Sequence, residues 1–575
     1  MTTGEPTAAS AALDEFFQTL YRLRPVDATF IGHHDQDHRL PDWSLAGHEA
    51  ATASWSACRD RLRAALGGAT DDEVILARDW SQIDVALAVS HCDLTLDELA
   101  GSHMSRGNPS LAIGEAAFAV ISLITRDFLP ASHRARHLES RLRHLPAFLA
   151  AALEALRNAR VPGAWRAKAL TEARATSLLL EEGLPKWCAA MALPQGTGLS
   201  LGEASRHALG GVHAFTSALE QLPAAENEVI ACGEDMLGRC VQRGHWVTHQ
   251  LDDLRQEART AFAEARARLG EMVRTVGAAS IAEVHARLVE RHPAPDEYYS
   301  AFSRVWDACR ATAEQHALVS WPDSPIRYVP IPEWTRMAAP ALYYLFYRSP
   351  APLDEIATHE YVVTPLDGLD GLAREEHLRR WNDSVIKLNH VVHHGGLGHH
   401  VQNWYAYRAP SRVGRVAAAD CASRIAMLLG GTMAEGWACY ATDLMDEVGF
   451  LTADERVAEQ HTRVRLLGRA IVDLEFHTGR LSLEQVVRLY LEEVGMGVDA
   501  ARGEAVKNSM FPGTAVMYWL GTQGIHDLRR AMAIREGSTF AVGAFHDRFL
   551  SHGAIPVALT SRLMLGGDQV YGARK

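Results

Sequence analysis

The sequence predicts a mainly α-helical protein with one small β-sheet. Apolar residues recur every three or four positions along most of the chain, which is the spacing of amphipathic helices. Prolines and glycines fall mostly between these periodic segments, where they end helices. The stretch 321–367 differs, because short runs of aromatic and β-branched residues there are bounded by prolines. No linker or internal repeat is present, so we predict a single unit over residues 1–575.

The N-terminal part of that unit, about 1–320, is predicted to be helical. Its first segment shows the pattern, since Leu13, Phe16, Phe17 and Leu20 share one helix face. The polar stretch 30–42 is predicted to be a hydrogen-bonded surface loop rather than a metal site, because no second ligand element flanks it. Helices are expected at 8–23, twice within 48–99, and at 111–128, 134–159, 163–184, 202–222 and 227–269.

The C-terminal part, about 321–575, is predicted to contain the sheet and then more helices. Two or three strands are expected, at 326–332, 341–347 and 360–364. Helical periodicity resumes near residue 373 and continues to the end of the chain. The sheet should therefore lie beside the histidine-rich segment at 390–400.

Composition excludes several classes of partner. The chain has 575 residues and a formal net charge of −13, from 70 acidic and 57 basic residues. Nucleic acids and anionic membranes bind basic surfaces, so neither is expected as a main partner. No apolar run reaches the roughly 18 residues of a membrane-spanning helix, and the N-terminus lacks the basic start of a signal peptide.

The cysteines predict a reducing compartment. None of them forms a C-x-x-C pair, and their density is too low for a disulfide framework. We therefore predict reduced, mostly buried thiols and a cytoplasmic location. The eight residues are Cys58, Cys92, Cys188, Cys232, Cys240, Cys309, Cys421 and Cys439.

The segment 390–400, His-Val-Val-His-His-Gly-Gly-Leu-Gly-His-His, predicts a mononuclear metal site. It holds five histidines and three glycines in eleven residues. His390 is spaced to share a helix face with His393 or His394, as the ligand pairs of zinc enzymes do. Glu435 follows on a segment with helical periodicity, and a second helix commonly supplies the carboxylate ligand. The alternative is a seam of hydrogen-bonded histidines without a metal.

The glycines predict a break in the helix between two of these histidines. In a straight helix His393 and His399 would be about 9 Å apart along the axis, too far for one ion. Each glycine weakens a helix interior by up to about 1 kcal/mol. A bulge or kink at Gly395, Gly396 and Gly398 would allow the two imidazoles to meet.

Four stretches of the chain together resemble a bacterial family, the domain of unknown function family 885. The family motif H-E-x-x-P-G-H-[HYF]-x-Q corresponds to residues 393–402, and A-E-G-W-A-x-Y corresponds to 434–440. The motif P-G-x-A-x-x-Y-x-x-G corresponds to 512–521, and the loop A-T-x-x-G…D-x-R-L-P-D to 28–42. The resemblance spans nearly the whole chain. Members of this family look like distant relatives of carboxypeptidase Taq and of the mainly helical Glu-zincin metallopeptidases.

The resemblance implies a metallopeptidase-like helical fold and a set of site residues. By it, His393, His399 and Glu435 bind one divalent metal ion, with zinc expected first and iron or manganese as alternatives. Tyr518 is the candidate to donate a hydrogen bond to a developing oxyanion. No organic cofactor is expected. Whether His390, His394 or His400 adds a further ligand stays open.

One departure from the family motif changes the expected chemistry. His394 stands where Glu-zincins have the glutamate that takes a proton from the attacking water, and Leu397 replaces the motif's proline. General acid–base catalysis contributes roughly 10²–10⁴-fold to rates. His394 could replace that base, since imidazole has a pKa of about 6.5. It could instead become an extra ligand, or the site could be inactive.

We therefore predict a metal-dependent hydrolase that acts on an amide or related bond of a small or short peptide-like substrate. His394 would be the proton shuttle and Tyr518 the assisting donor. The alternative is a non-hydrolytic metalloenzyme of small-molecule metabolism, such as a lyase, an isomerase or an oxygen-using enzyme. A binding protein with a relic site is the third hypothesis.

Overall fold

Helices make up most of the computed structural model of this chain, as predicted. The structure describes residues 7–566 except 102, 106, 158, 227–229, 340–350, 355, 357 and 420–423. In this described part the only regular non-helical elements are two short strands that pair with each other. None of the described helices combines the length and the apolar composition that crossing a membrane requires.

The N-terminal part forms helices α1–α14, several of which begin at a capping side chain. Thr7, Ser44 and Thr70 each accept a hydrogen bond from the backbone amide three residues later, which satisfies a free N–H of the first turn. The helices are α1 Ala8–Leu23, α2 Pro25–Ile31, α3 Leu45–Leu66, α4 Asp71–Ala77, α5 Trp80–Ala100, α6 Pro109–Ile124, α7 Ala131–Leu156, α8 Gly163–Leu178, α9 Leu184–Ala190, α10 Gln195–Gln221, α11 Glu234–Arg239, α12 Leu251–Thr275, α13 Ile281–Val289 and α14 Tyr298–Gln315.

In two segments of this part the observed helices differ from the predicted ones. The segment 48–99 contains three helices rather than two, because a capping box at Thr70 and Glu73 starts a short extra helix. The single helix predicted for 227–269 is wrong. The chain leaves the helical path after a π-helical turn at Cys240–Gly244, and Trp246 adopts a positive φ of 57° before α12 begins.

The C-terminal part contains the sheet and helices α15–α25. Strands β1 Ile326–Pro330 and β2 His359–Val363 pair in parallel, with Tyr328 opposite Tyr361. Both lie where strands were predicted, and the third predicted strand, 341–347, lies outside the described residues. The helices are α15 Gly371–Arg380, α16 Asp383–Val385, α17 His399–Ala406, α18 Arg412–Ala417, α19 Gly431–Glu447, α20 Ala453–Phe476, α21 Leu483–Arg488, α22 Val498–Ser509, α23 Met517–Glu536, α24 Val542–Leu550 and α25 Val557–Leu565.

The hydrophobic core joins the two parts of the chain. Its largest cluster contains Phe16 and Trp55 from the N-terminal part together with Ile471, Tyr490 and Ile555 from the C-terminal part. A separate cluster surrounds the histidine-rich segment, where residues of β1, β2, α14, α19 and α24 pack around it. The candidate site is therefore supported by elements that are far apart in the sequence.

Candidate metal site

The histidine-rich segment is a widened helical turn followed by a backbone reversal. Residues Ile386–Gly395 form a π-helical segment that continues α16. The Gly396 amide then donates to the Val391 carbonyl at 2.7 Å, five residues back. This wide turn presents His393 and His394 side by side, with ring centroids 4.6 Å apart.

Glycine is required at the reversal because atoms of other residues fill the space that a side chain would occupy. A Cβ at Gly398 would overlap the His393 carbonyl oxygen, and a Cβ at Gly395 would overlap the Tyr328 hydroxyl. The reversal ends at His399, the first residue of α17. It brings the His393 and His399 rings to a centroid distance of 5.0 Å, so the predicted kink is confirmed.

Three imidazoles and one carboxylate meet at this point. His393, His394 and His399 each offer a ring nitrogen, and these nitrogens all lie within 4.8 Å of one another. The Glu435 carboxylate lies 3.5 Å from the His393 Nε2 and 3.7 Å from the His399 Nε2. The structure therefore brings together all three predicted ligand residues and adds His394 to the group.

His394 is oriented by its backbone contact. Its Nδ1 lies 2.6 Å from the Asn389 carbonyl oxygen, to which it donates when that nitrogen carries the proton. The lone pair is then on Nε2. Metal-binding histidines commonly donate their other ring N–H to a carbonyl in this way, and a neutral histidine acting as a base has the same tautomer.

The A-E-G-W-A-x-Y stretch positions Glu435 through its two neighbours. The Trp437 Nε1 donates to the Leu397 carbonyl at 2.8 Å, which fixes α19 against the glycine reversal. Gly436 faces Gly521 of α23, where an added Cβ would lie 2.5 Å from the Gly521 Cα. The motif thus combines a predicted ligand, a close helix contact and a hydrogen bond to the glycine reversal.

The close contact of α19 with α23 places Tyr518 beside Glu435. The Tyr518 hydroxyl donates to the Glu435 Oε1 at 3.2 Å. The start of α23 is held by the buried Asp473, which accepts from the Gly513 and Val516 amides at 2.9 Å each. The predicted catalytic tyrosine is therefore in contact with a predicted ligand.

The electrostatics favour neutral His393 and His394 beside an ionised Glu435. Burial lowers the pKa of His393, and burial together with the neighbouring His393 and His399 holds the pKa of His394 well below its usual range. Burial alone would raise the pKa of Glu435, but its contacts with His393 and His399 hold it well below its usual range. These are the protonation states in which histidine and glutamate bind metals.

His390 and His400 belong to the surrounding core. The His390 Nδ1 lies 2.5 Å from the Tyr361 hydroxyl, and its ring stacks on Trp381. The His400 Nε2 lies 2.7 Å from the Ser324 carbonyl oxygen, and its Nδ1 lies 3.1 Å from a His359 nitrogen. With both ring nitrogens of His400 engaged elsewhere, this residue is not placed as a ligand.

The cluster opens into a cavity of about 410 Å³. His394, His399, Glu435 and Tyr518 line it. Two cationic residues that the sequence reasoning missed, Arg469 of α20 and Lys507 of α22, also line the cavity. The Arg469 guanidinium lies 4.9 Å above the Tyr518 ring and pairs with Glu504. No motif or spacing in the sequence connects α20 and α22 with the histidines.

The donor set fits a borderline transition metal. Three imidazole nitrogens and one carboxylate are the ligand types that zinc, iron and manganese sites share. Among the described cavity-lining residues Glu435 is the one acidic side chain, and none is a cysteine. These residues therefore do not provide the all-oxygen site that calcium and magnesium prefer.

Comparisons with known proteins agree with the fold. The family model described as "Bacterial protein of unknown function (DUF885)" matches residues 25–564. Two solved structures are similar along their whole length: a "putative lipoprotein of unknown function" from Shewanella oneidensis and a "putative lipoprotein" from Colwellia psychrerythraea. The first is 20% identical with a TM-score of 0.74, and the second 16% identical with a TM-score of 0.76. Each alignment covers 97% of this chain and 99% of the other. No curated protein matches.

These relatives correct one prediction. Both are described as lipoproteins, which conflicts with the cytoplasmic location predicted here, so that prediction is wrong. It depended on the cysteines, yet a large helical core needs no disulfides to be stable. Scattered buried thiols such as Cys58 and Cys309 therefore do not identify a compartment.

Proposed function

The chain belongs to the DUF885 family of bacterial proteins, and from this premise and the site geometry we propose that it is a metal-dependent hydrolase. Its substrate would be a small or short peptide-like molecule with an amide or related bond. The observation that carries the proposal is the cluster of three imidazole nitrogens within 4.8 Å of one another, beside the Glu435 carboxylate, at the wall of a cavity.

His393, His399 and Glu435 would hold one divalent ion. When bound, such an ion polarises a substrate carbonyl and makes water more acidic. The His394 Nε2 accepts the proton of the attacking water, because the Nδ1 faces the Asn389 carbonyl. The Tyr518 hydroxyl is the donor available to a developing oxyanion, since it now donates to Glu435 at the cavity wall.

A second candidate is a non-hydrolytic metalloenzyme. The position of His394 within the group of three nitrogens favours it, because a fourth protein ligand would take the place of the base. A nitrogen-rich site of that kind suits iron or manganese chemistry on a small metabolite. The distant resemblance of this family to carboxypeptidase Taq and the Glu-zincin metallopeptidases supports the hydrolytic candidate instead.

Metal analysis of the purified protein tests the shared premise. We expect about one equivalent of zinc, iron or manganese per chain, and a lower midpoint of thermal unfolding after chelation. Glu435→Gln should lose most of the metal. His400→Gln is the matched control, because that histidine neighbours the cluster but contacts Ser324 and His359. A natural protein without metal, and with unchanged stability in chelator, would refute both candidates.

Restoring the family's glutamate separates the two candidates. The natural protein and His394→Glu are compared on one panel of amides and short peptides, with metal content measured in both. The hydrolytic candidate predicts turnover by the natural protein. If only the glutamate variant hydrolyses peptides, the hydrolytic candidate fails and the non-hydrolytic one is favoured.

A further inference from the structure

Gln402 is a buried amide side chain without a hydrogen-bond partner among the residues that the structure describes. It is 1% exposed, and within the described part of the chain neither its Oε1 nor its Nε2 makes a hydrogen bond. Buried polar atoms are rarely left unpaired in proteins, so such a group requires an explanation. Asn508, another buried amide at the same cavity, donates to the Tyr490 hydroxyl at 2.6 Å.

The position of Gln402 connects it with the candidate metal site. It lines the cavity that His394, His399 and Glu435 also line. It follows His399 by three residues in α17, and residues at this spacing lie on the same side of a helix. The neighbouring His400, in contrast, points to Ser324 and His359. The unpaired carboxamide is thus buried in the wall of the cavity where a substrate would lie.

The chemistry of the carboxamide defines what it would bind. A glutamine offers one acceptor oxygen and an NH₂ donor side by side, and it carries no charge. A carboxylate can pair only with the donor, and an ammonium group only with the acceptor. A primary carboxamide, or a cyclic amide with its C=O and N–H on the same side, can pair with both. The cavity of about 410 Å³ is within the usual range of small-molecule sites.

We propose that Gln402 is the recognition group for the carboxamide of a small neutral substrate at this cavity. This proposal rests on the proposed function, which places the reaction at the histidine cluster. It adds the class of substrate, a neutral carboxamide. Gln402 would bind and orient the substrate through two hydrogen bonds. The reacting groups would remain those of the histidine cluster.

Binding of two matched probes to the natural protein and to variants tests the proposal. N-acetylglycinamide carries a primary carboxamide, and N-acetylglycine has a carboxylate in its place. We expect the natural protein to bind the amide at least tenfold more tightly than the acid in calorimetric titration. Gln402→Met and Gln402→Glu should each lose that preference at unchanged metal content. Gln523→Met is the control, because that glutamine already donates to Asp527.

Thermal unfolding provides a readout that does not depend on any probe. Gln402→Met removes two unpaired buried atoms, so the midpoint of unfolding should rise in the variant although its amide binding falls. If Gln402 binds only ordered water, the natural protein should show no preference for the amide probe over the acid probe. This result would overturn the proposal. Tighter binding of the acid, lost in Lys507→Met, would overturn it as well.

Failure of the Gln402 proposal can be distinguished from failure of the proposed metal-dependent function. Metal bound at the cluster with an amide preference that does not depend on Gln402 refutes this proposal alone. A Gln402-dependent amide preference in a protein without metal refutes the metal-dependent function and supports the recognition role.

Discussion

Replacing Tyr518 tests how much a single hydrogen bond to the predicted ligand Glu435 contributes to metal affinity. It donates to Glu435 at 3.2 Å, and hydrogen bonds to metal ligands typically change metal affinity by roughly 10–100-fold. We expect Tyr518→Phe to keep the fold and to weaken metal binding by about that factor, measured by competition with a chelator of known affinity. Tyr440→Phe is the matched control, since the Tyr440 hydroxyl contacts His546 and Arg529. Equal affinity in the two variants would show that Tyr518 does not support the ligand.

His34 should make stability depend on pH in the alkaline range. Burial lowers its pKa, but hydrogen bonds from its two ring nitrogens to Asp354 and Asp37, both 2.9 Å, outweigh burial and raise the pKa from 6.5 to about 9. Because the folded protein binds this proton more tightly than the unfolded chain, the contribution is complete below about pH 6.5. It is lost as the pH rises through about 9.

Protonated His34 should contribute on the order of 1–2 kcal/mol to the free energy of unfolding. The value is this small because the ring is partly exposed and solvent screens its ion pairs. Urea unfolding of the natural protein at several pH values should show a loss of stability between pH 6.5 and 9 that is reduced in His34→Gln. In His144→Gln, which removes a ring that faces the Ser140 carbonyl, the loss should remain. An identical pH profile in His34→Gln would exclude the ion pairs as its cause.

At the scale of elements, the glycine reversal decides whether the site forms. A Cβ at Gly398 would overlap the His393 carbonyl oxygen, so Gly398→Ala must open the reversal and move His399 away from His393. We expect a loss of about 2–4 kcal/mol in the free energy of unfolding together with loss of the metal. Gly503→Ala in α22 is the control, because a Cβ there meets no atom within 4 Å. It should stabilise the chain by about 0.4–1 kcal/mol. Normal metal content in Gly398→Ala would contradict this account of the reversal.

Most elements could be predicted from the sequence because their signals are local. Helical periodicity and proline positions located most helices, and β-branched runs located β1 and β2. The direction of the reversal could not be predicted, because hydrogen bonds from Trp306 and Trp437 to its carbonyls fix it. These two residues lie on α14 and α19. The glycines showed where the helix must break, and only the packing determined where the chain goes next.

At the scale of the whole molecule, the residues of the histidine and glutamate cluster could be identified from the sequence, and the rest of the cavity could not. His393, His399 and Glu435 stand in dense motifs whose residue types indicate metal chemistry. Arg469 and Lys507 reach the cavity from α20 and α22, elements that carry no such motif. They line the cavity because the large shared core packs α20 and α22 together with α23. The sequence therefore identifies the clustered residues more readily than the residues that form the rest of the cavity wall.

The shared core also predicts that the two parts of the chain cannot fold separately. Buried Asp84 of α5 accepts hydrogen bonds from the Ser411 hydroxyl at 2.5 Å and the Arg412 amide at 2.6 Å. Phe16 and Trp55 pack in one cluster with Ile471 and others of the C-terminal part. Residues 321–575 alone would expose that surface to water, a cost proportional to the apolar area.

We expect fragment 321–575 to be aggregated or unfolded by circular dichroism and to bind no metal at the cluster, although it contains every predicted ligand. Co-expression with fragment 1–320 should restore helical content and metal binding, since the apolar surfaces then cover each other. A soluble, metal-binding C-terminal fragment with a cooperative unfolding transition would show instead that the chain has two independent domains. The single-unit prediction would then fail, and the N-terminal helices would be an addition to a C-terminal domain that folds on its own.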